Sequence, residues 1–367
     1  MKILVAPDKF KGSLTAAQAA EALRVGWSRS RPEDTLRCVP LSDGGEGFAE
    51  VCGSASGAKS ESVQVSGPLG EPVDAVFFRS AKGVFFETSS VCGLALVPEA
   101  LRNPAHTTTR GVGEVLRHLA ACGDGPVLAG LGGSGTNDGG FGMAVALGYR
   151  FLDAGGRDLP VEPMELRRLA RVVPPENPCW PQVAAGVDVV NPLLGPEGCT
   201  RRFGFQKGLR ESDAPAFEEA LGRFADVVSR DLGQCVADAS GSGAAGGLGY
   251  GLMVFCGARV VSGFDLVSDS LGLARLVAEA DLVLTGEGSL DFQSLSGKVP
   301  IAMARLAASL GKRTFCAAGL VDRAVDWSPH FAGTVSLEDC AGSRAAAMDD
   351  ASGSLQVAAE HLAKGLG

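Results

Sequence analysis

Glycine is the residue that most narrows what this chain can become. It fills 51 of 367 positions, close to twice the usual ~7%, and it is clustered. Five segments join it to acidic and hydroxyl side chains: Asp8-Lys9-Phe10-Lys11-Gly12-Ser13, Ser42-Asp43-Gly44-Gly45-Glu46-Gly47, Gly132-Gly133-Ser134-Gly135-Thr136-Asn137-Asp138-Gly139-Gly140, Gly241-Ser242-Gly243-Ala244-Ala245-Gly246-Gly247 and Thr285-Gly286-Glu287-Gly288-Ser289-Leu290-Asp291. Glycine lets successive backbone N–H groups converge on an anion, and a helix starting just beyond adds the positive end of its dipole. One such loop alone reads equally well as a tight turn. Several of the five follow strand-like apolar runs, and the carboxyl ends of strands are where open α/β sheets bind ligands.

With 46% apolar residues the chain can bury a core, and its length suggests two domains. The net charge of −9 comes without any basic run, which argues against a nucleic-acid partner, since neutralising phosphates needs a basic stripe. The first ten residues already contain Asp8 and Lys9, and no stretch approaches 18 apolar residues. The expectation is therefore a cytoplasmic protein with no membrane partner. Ten cysteines without a C-x-x-C pair and four scattered histidines give no metal-ligand spacing, and the cysteines read as buried free thiols.

Lys2 to Ala6 is a short strand-like run. Thr15 with Gln18 forms a capping box ahead of apolar positions at helical spacing. Cys38 to Leu41 is a second strand leading into Ser42–Gly47. From Ser62 to Glu87 the apolar residues alternate around the turn Gly67-Pro68-Leu69-Gly70, an antiparallel pattern. A helix around Val112–Leu119, the strand Val127–Gly130, the strand Val183–Val190 and a helix around Phe217–Val228 follow. The opening pattern then returns, with a strand at Asp281–Thr285, a helix over Val299–Leu310 stopped by Gly311, and a strand at Thr314–Ala318. This order predicts a two-domain α/β fold. Residues 1–67 and 281–367 form a discontinuous parallel-sheet domain of Rossmann or flavodoxin type, and residues 68–280 an inserted α/β domain containing antiparallel strands; two sequential halves are the other arrangement the pattern allows.

Gly130, Gly132 and Gly135 make a G-x-G-x-x-G after a strand, with Asp153 18 residues beyond the last glycine. That is a dinucleotide fingerprint at face value, and a NAD-dependent dehydrogenase of a small hydroxy acid is one reading of it. Against it, Thr136 to Gly140 is polar and flexible where such a fold needs a packed helix start. A P-loop is absent, because Phe292 stands where the glycine before Gly297-Lys298 is required. Phosphoryl transfer needs a hard cation on one or two carboxylates, a positive group near the phosphate and a carboxylate to take the acceptor proton. Asp188 at the end of a strand, Glu287 and Asp291 after another, and Lys9 and Lys11 flanking the first loop supply those parts. Asp188 alone would serve as well as a turn residue, the two lysines as solvated charges, and Glu46 and Asp291 as helix caps.

Taken in order, these segments resemble the type I glycerate kinase family over nearly the whole chain. Ala6-Pro7-Asp8-Lys9-Phe10-Lys11-Gly12-Ser13 is similar to its A-P-D-S-F-K-G-S, Asp43 to Gly47 to its D-G-G-E-G, and Gly132 to Gly140 to its G-G-S-A-T-N-D-G-G. Asp188-Val189-Val190-Asn191-Pro192-Leu193, Gln206-Lys207-Gly208, Gly243 to Gly249, Thr285 to Asp291, Gln293, Gly297 and Lys298 complete the set. The departures are Lys9 for Ser, Gly135 for Ala, Gly186-Val187 where A-C precedes the Asp, Phe205 for Pro, and Ser289 for the Arg of G-E-G-R.

The resemblance implies ATP-dependent, Mg²⁺-requiring phosphorylation of D-glycerate in a cleft between two α/β domains, with 2-phosphoglycerate the expected product. It implies Asp188 or Asp138 as base and Lys9 as a further catalytic residue. Lys11, Ser13, Asp43, Glu46, Ser134, Thr136 and Asn137 would contact substrate. Gly243, Gly246, Gly247, Gly286, Gly288 and Lys298 would hold the nucleotide, and Glu287 and Asp291 the metal. A sugar-acid sensor without catalysis is the remaining alternative. Oligomeric state stays open between monomer and homo-oligomer.

Overall fold

The computed structural model describes residues 1–123 and 125–366, leaving aside the side chains of Gln293 and Ser296. Gln293, one of the motif residues, thus lies outside the described side chains. Strands β1 (Lys2–Val5) and β2 (Thr35–Cys38) open the chain. Then come β3 (Lys59–Ser66), β4 (Pro72–Ser80), β5 (Gly83–Glu87), β6 (Val127–Gly130), β7 (Arg150–Leu152), β8 (Arg171–Val173), β9 (Val183–Val187) and β10 (Arg259–Ser262). Strands β11 (Leu282–Leu290), β12 (Arg313–Val321) and β13 (Gly333–Ser336) close it. The chain divides into two compact units, 1–43 with 267–367, and 44–266.

The first unit is a five-stranded sheet in the order β13-β12-β11-β1-β2, parallel throughout. The chain steps from β1 to one side and returns on the other, which is the 2-1-3-4-5 winding with its switch point between β1 and β11. Both faces are covered, as a parallel sheet requires. Along β12, Phe315 and Ala317 point into a core with Leu23, Trp27, Leu355 and Leu362, while Cys316 and Ala318 point into another with Ile301, Trp327 and Phe331. The predicted capping box is present: Thr15 Oγ1 accepts from Gln18 N at 3.2 Å and Gln18 Oε1 from Thr15 N at 2.9 Å.

Asp34 anchors the buried end of the Ala16–Ser30 helix. It accepts from Trp27 Nε1 at 3.0 Å, Arg31 Nε at 2.7 Å and the Met1 amine at 2.6 Å. Burial pushes its carboxyl up, but these donors outweigh burial and hold it well below the usual range. A depressed carboxylate adds stability above its unfolded pKa, and that stability is lost as pH falls through the folded one. Asp34→Ala should cost roughly 2–4 kcal/mol at pH 7. Urea unfolding of the pair should find the difference shrinking below pH 4, and an equal difference at pH 7 and pH 3 would refute the linkage.

The second unit carries a six-stranded sheet, β10-β9-β6-β5-β4-β3, whose first four strands are parallel and whose last two pair antiparallel. A β7–β8 hairpin pair stands apart from it. Its boundaries differ from the expected 67/68 and 280/281. The Gly67–Gly70 turn only joins β3 to β4, and the helix Phe48–Ala55 already packs on this unit's sheet, with the Phe48 ring edge-on to Phe85 at 6.3 Å. At the other end the helix Leu273–Glu279 packs on β1 and on the helix Val299–Ser309, so it belongs to the first unit. Among the described residues no helix is long and apolar enough to cross a membrane.

Candidate active site

At the switch point the first glycine loop runs on along β11, with Ala6 N donating to Leu284 O at 2.8 Å and Asp8 N to Gly286 O at 2.9 Å. Sequence reading ends β11 at Thr285, but the strand continues through Leu290, because β12 keeps pairing with it at Gly286↔Ala317 and Glu287↔Ala318. Gly286 is thus an interior strand residue, not a loop residue, and its missing side chain admits the Ala317 carbonyl. Gly288 leaves room beside Phe10 and Lys11.

Four carboxylates gather here, Asp8, Asp43, Glu287 and Asp291, with Lys9 and Lys298 among them. Asp8 and Glu287 are each 6% exposed. Burial, joined by the Asp43 charge, pushes Asp8 up to about 7. Burial also raises Glu287 to about 7, with Lys298 and Ser294 opposing and Asp291 and Asp43 adding. Lys9 Nζ lies 3.9 Å from Asp43 and Lys298 Nζ 3.8 Å from Asp291. Ser294 Oγ donates to Glu287 Oε1 at 2.9 Å, and Ser289, in the position of the family's Arg, donates to Asp291 Oδ2 at 3.0 Å. Among the described residues no group of three ligands is arranged to hold a metal ion unaided. The donors are hard oxygens in excess over local cations, which suits Mg²⁺ arriving with phosphates, an ion commonly held by one or two carboxylates. Lys11 and Ser13 sit on the exposed part of the first loop, with Ser13 Oγ donating to Phe10 O at 3.1 Å.

In the second unit residues 134–140 of the glycine-rich segment are buried, while Gly133 is exposed. No helix begins at the glycine triad; ten residues separate β6 from the helix Phe141–Ala146. A Cβ on Gly132 would lie 2.7 Å from Gly45 Cα. Backbone therefore occupies the place a pyrophosphate would need. Asp153 serves its own turn, accepting from Gly155 N, Arg157 N and the Arg157 guanidinium. The dinucleotide reading is set aside on these grounds. Gly243, Gly246 and Gly247 are buried, and at Gly246 a side chain would strike the Thr136 carbonyl. At these glycines the backbones of neighbouring loops meet closely.

Asp138 is 1% exposed and fully engaged. Oδ2 accepts from Thr109 N, Thr109 Oγ1 and Gly142 N at 2.9, 2.8 and 3.1 Å, and Oδ1 from Gly140 N at 3.0 Å. Burial raises it while these donors oppose. It locks the loop through these four hydrogen bonds. Asp188 is different: it is exposed directly after the last residue of β9, at the carboxyl end of a central strand. Glu46 is also exposed. Ser134, Thr136 and Asn137 are all buried, and beneath them lies Lys207. Its Nζ donates to Ser134 Oγ at 2.9 Å and to Thr136 O at 2.7 Å.

A family model described as the glycerate kinase family matches residues 3–366. The chain belongs to the glycerate kinase family. It is 39% identical over 326 residues to the glycerate 2-kinase of Escherichia coli K12, covering 87% of this chain and 85% of that one. It is 40% identical over 328 residues to the glycerate kinase of Bacillus subtilis 168, covering 88% and 86%. A crystal structure from Salmonella typhimurium LT2, whose protein carries a provisional glycerate kinase 2 name, superposes with a TM-score of 0.85 at 37% identity over 100% of this chain and 98% of that one.

As a glycerate kinase family member the chain is a kinase, and its motif residues form two clusters. In the first unit Asp8, Lys9, Asp43, Glu287, Asp291 and Lys298 come together. In the second the loop Ser134–Asp138 sits on Lys207. Asp8, Ser294 and Lys207 were not among the expected site residues. Asp8 and Lys207 lay inside quoted motifs, whereas Ser294 carries no sequence signal.

Proposed function

We propose that this chain transfers the γ-phosphoryl group of ATP to D-glycerate, with 2-phosphoglycerate as the product. The observation that carries the reading is the carboxylate cluster with its two lysines at the switch point of a 2-1-3-4-5 parallel sheet, the position where such sheets bind phosphorylated ligands. Family membership and relatives named for glycerate kinase activity support the substrate. Bound Mg²⁺ would supply charge neutralisation on the phosphate oxygens, with Glu287 and Asp291 to hold it. Lys298, beside Asp291 at the start of the Val299–Ser309 helix, orients the phosphates and balances their charge. Lys9 and Lys11 face the acceptor's carboxylate. Asp188 takes the proton from the acceptor hydroxyl as its oxygen bonds to phosphorus and ADP leaves.

ADP release should be measured with D-glycerate, with L-glycerate and with no acceptor, and the product identified by ³¹P NMR. D-glycerate-dependent ADP and a single 2-phosphoglycerate resonance are expected. A 3-phosphoglycerate product would overturn the regiochemistry. Glycerate binding with no ATP consumption would replace the kinase by a sensor.

A further inference from the structure

Lys207 is a charged residue held deep in the second unit. It is 2% exposed, and no carboxylate lies within ion-pair distance of its ammonium among the described residues. Taking an ammonium out of water without a carboxylate in contact is expensive, so such a group persists where it has work to do. Two of its three N–H bonds are committed, to Ser134 Oγ and the Thr136 carbonyl. Because Ser134 Oγ accepts from Nζ, its own proton is turned away from the lysine. On the same loop Asn137 Nδ2 donates to Thr200 Oγ1 at 3.0 Å, while Asn137 Oδ1 is buried with no partner and Thr136 Oγ1 faces the Cys92 thiol. A hydroxyl, an amide oxygen and an ammonium mix donors with acceptors. That mixture matches a small hydroxy acid, whereas a triphosphate needs donors only. Gly133 is exposed and Ser134 is the first buried residue after it, so Lys207 supports the loop from beneath.

We propose that Lys207 is a positioning residue that holds the Ser134–Asn137 loop in the form that receives the acceptor, and thereby sets the affinity for glycerate rather than the rate of transfer. The proposal rests on the glycerate reading above. Geometry has support from titration. Burial lowers the lysine to about 8, and the groups facing it are Cys199, Cys92 and Asp138. The two thiols are pushed up to about 12 by burial and stay neutral.

The test compares wild type with Lys207→Met, Ser134→Ala and the double variant, in steady-state kinetics from pH 6.5 to 9. Lys207→Met should raise the KM for D-glycerate at least tenfold, while kcat stays within threefold and the KM for ATP within twofold. In wild type the glycerate KM should rise above pH 8 as the ammonium loses its proton, and Lys207→Met should lose that rise. The double variant should be no worse than Lys207→Met alone, because both remove one interaction. Equal losses in kcat and both KM values with a lowered Tm, an unchanged glycerate KM, or additive single effects would each overturn the proposal. If Lys207→Met fails to fold, Ser134→Ala with its pH profile decides. A wild type that releases no ADP with glycerate would instead bring down the functional reading itself, and hydrogen exchange at Gly135–Asp138 would judge the lysine. Exchange unchanged by Lys207→Met would then refute positioning.

Discussion

Glu287→Gln should make the chain more stable at pH 8 and far less active. The native carboxylate is raised to about 7 by burial and by its acidic neighbours, against the pull of Lys298 and Ser294. For an acid whose folded pKa is raised, the penalty is absent below its unfolded value near 4.5, grows between 4.5 and 7, and is complete above 7. Glutamine keeps an oxygen for the Ser294 hydroxyl and removes the charge. The gain at pH 8 should be on the order of 2–3 kcal/mol, a few degrees in Tm, and should vanish at pH 5. Turnover should fall by roughly 10²–10³, the scale of losing one preorganised electrostatic group at a site of charge development. Thermal melts at both pH values with ADP release at pH 8 check this. A variant no more stable than wild type at pH 8 would mean that the cluster carries no stored repulsion.

Asp138 should behave in the opposite sense. Asp138→Ala leaves Thr109 N, Thr109 Oγ1, Gly140 N and Gly142 N without their acceptor inside a closed interior. That should cost roughly 3–5 kcal/mol, seen as a lower urea midpoint. Asp138→Asn should fall between, and the fraction that folds should keep kcat within about tenfold, as expected of a side chain whose oxygens are all spent on holding the loop. Asp188→Asn should do the reverse, folding normally and losing turnover. A folded, inactive Asp138→Asn would return Asp138 to the chemistry.

The parallel order of the first unit was legible because each half shows its own strand, loop and helix, and the capping box at Thr15 marks a helix start that the structure keeps. The boundary was less so. The Gly67-Pro68-Leu69-Gly70 turn looks like punctuation between domains, yet which sheet the Phe48–Ala55 helix covers is decided by the Phe48–Phe85 contact, which no local pattern encodes. The strand end at Thr285 was misjudged for the same reason. Gly-Glu-Gly reads as a loop until β12 supplies hydrogen bonds to it. Motif membership picked out Asp138 and Lys207 alike, but burial decides what each can do, and burial is a property of neighbours distant in sequence.

The loops that meet backbone to backbone at Gly132 and Gly246 carry a lesson for any saturation-mutagenesis map of this chain. Positions there should score as intolerant for want of space alone, touching no ligand, and one seam cannot drift without its opposite strip drifting too. Taking intolerance as a footprint of the substrate would therefore draw that footprint too large. The outline to look for lies at exposed positions such as Asp188, where a variant that folds normally and loses turnover would mark the ligand.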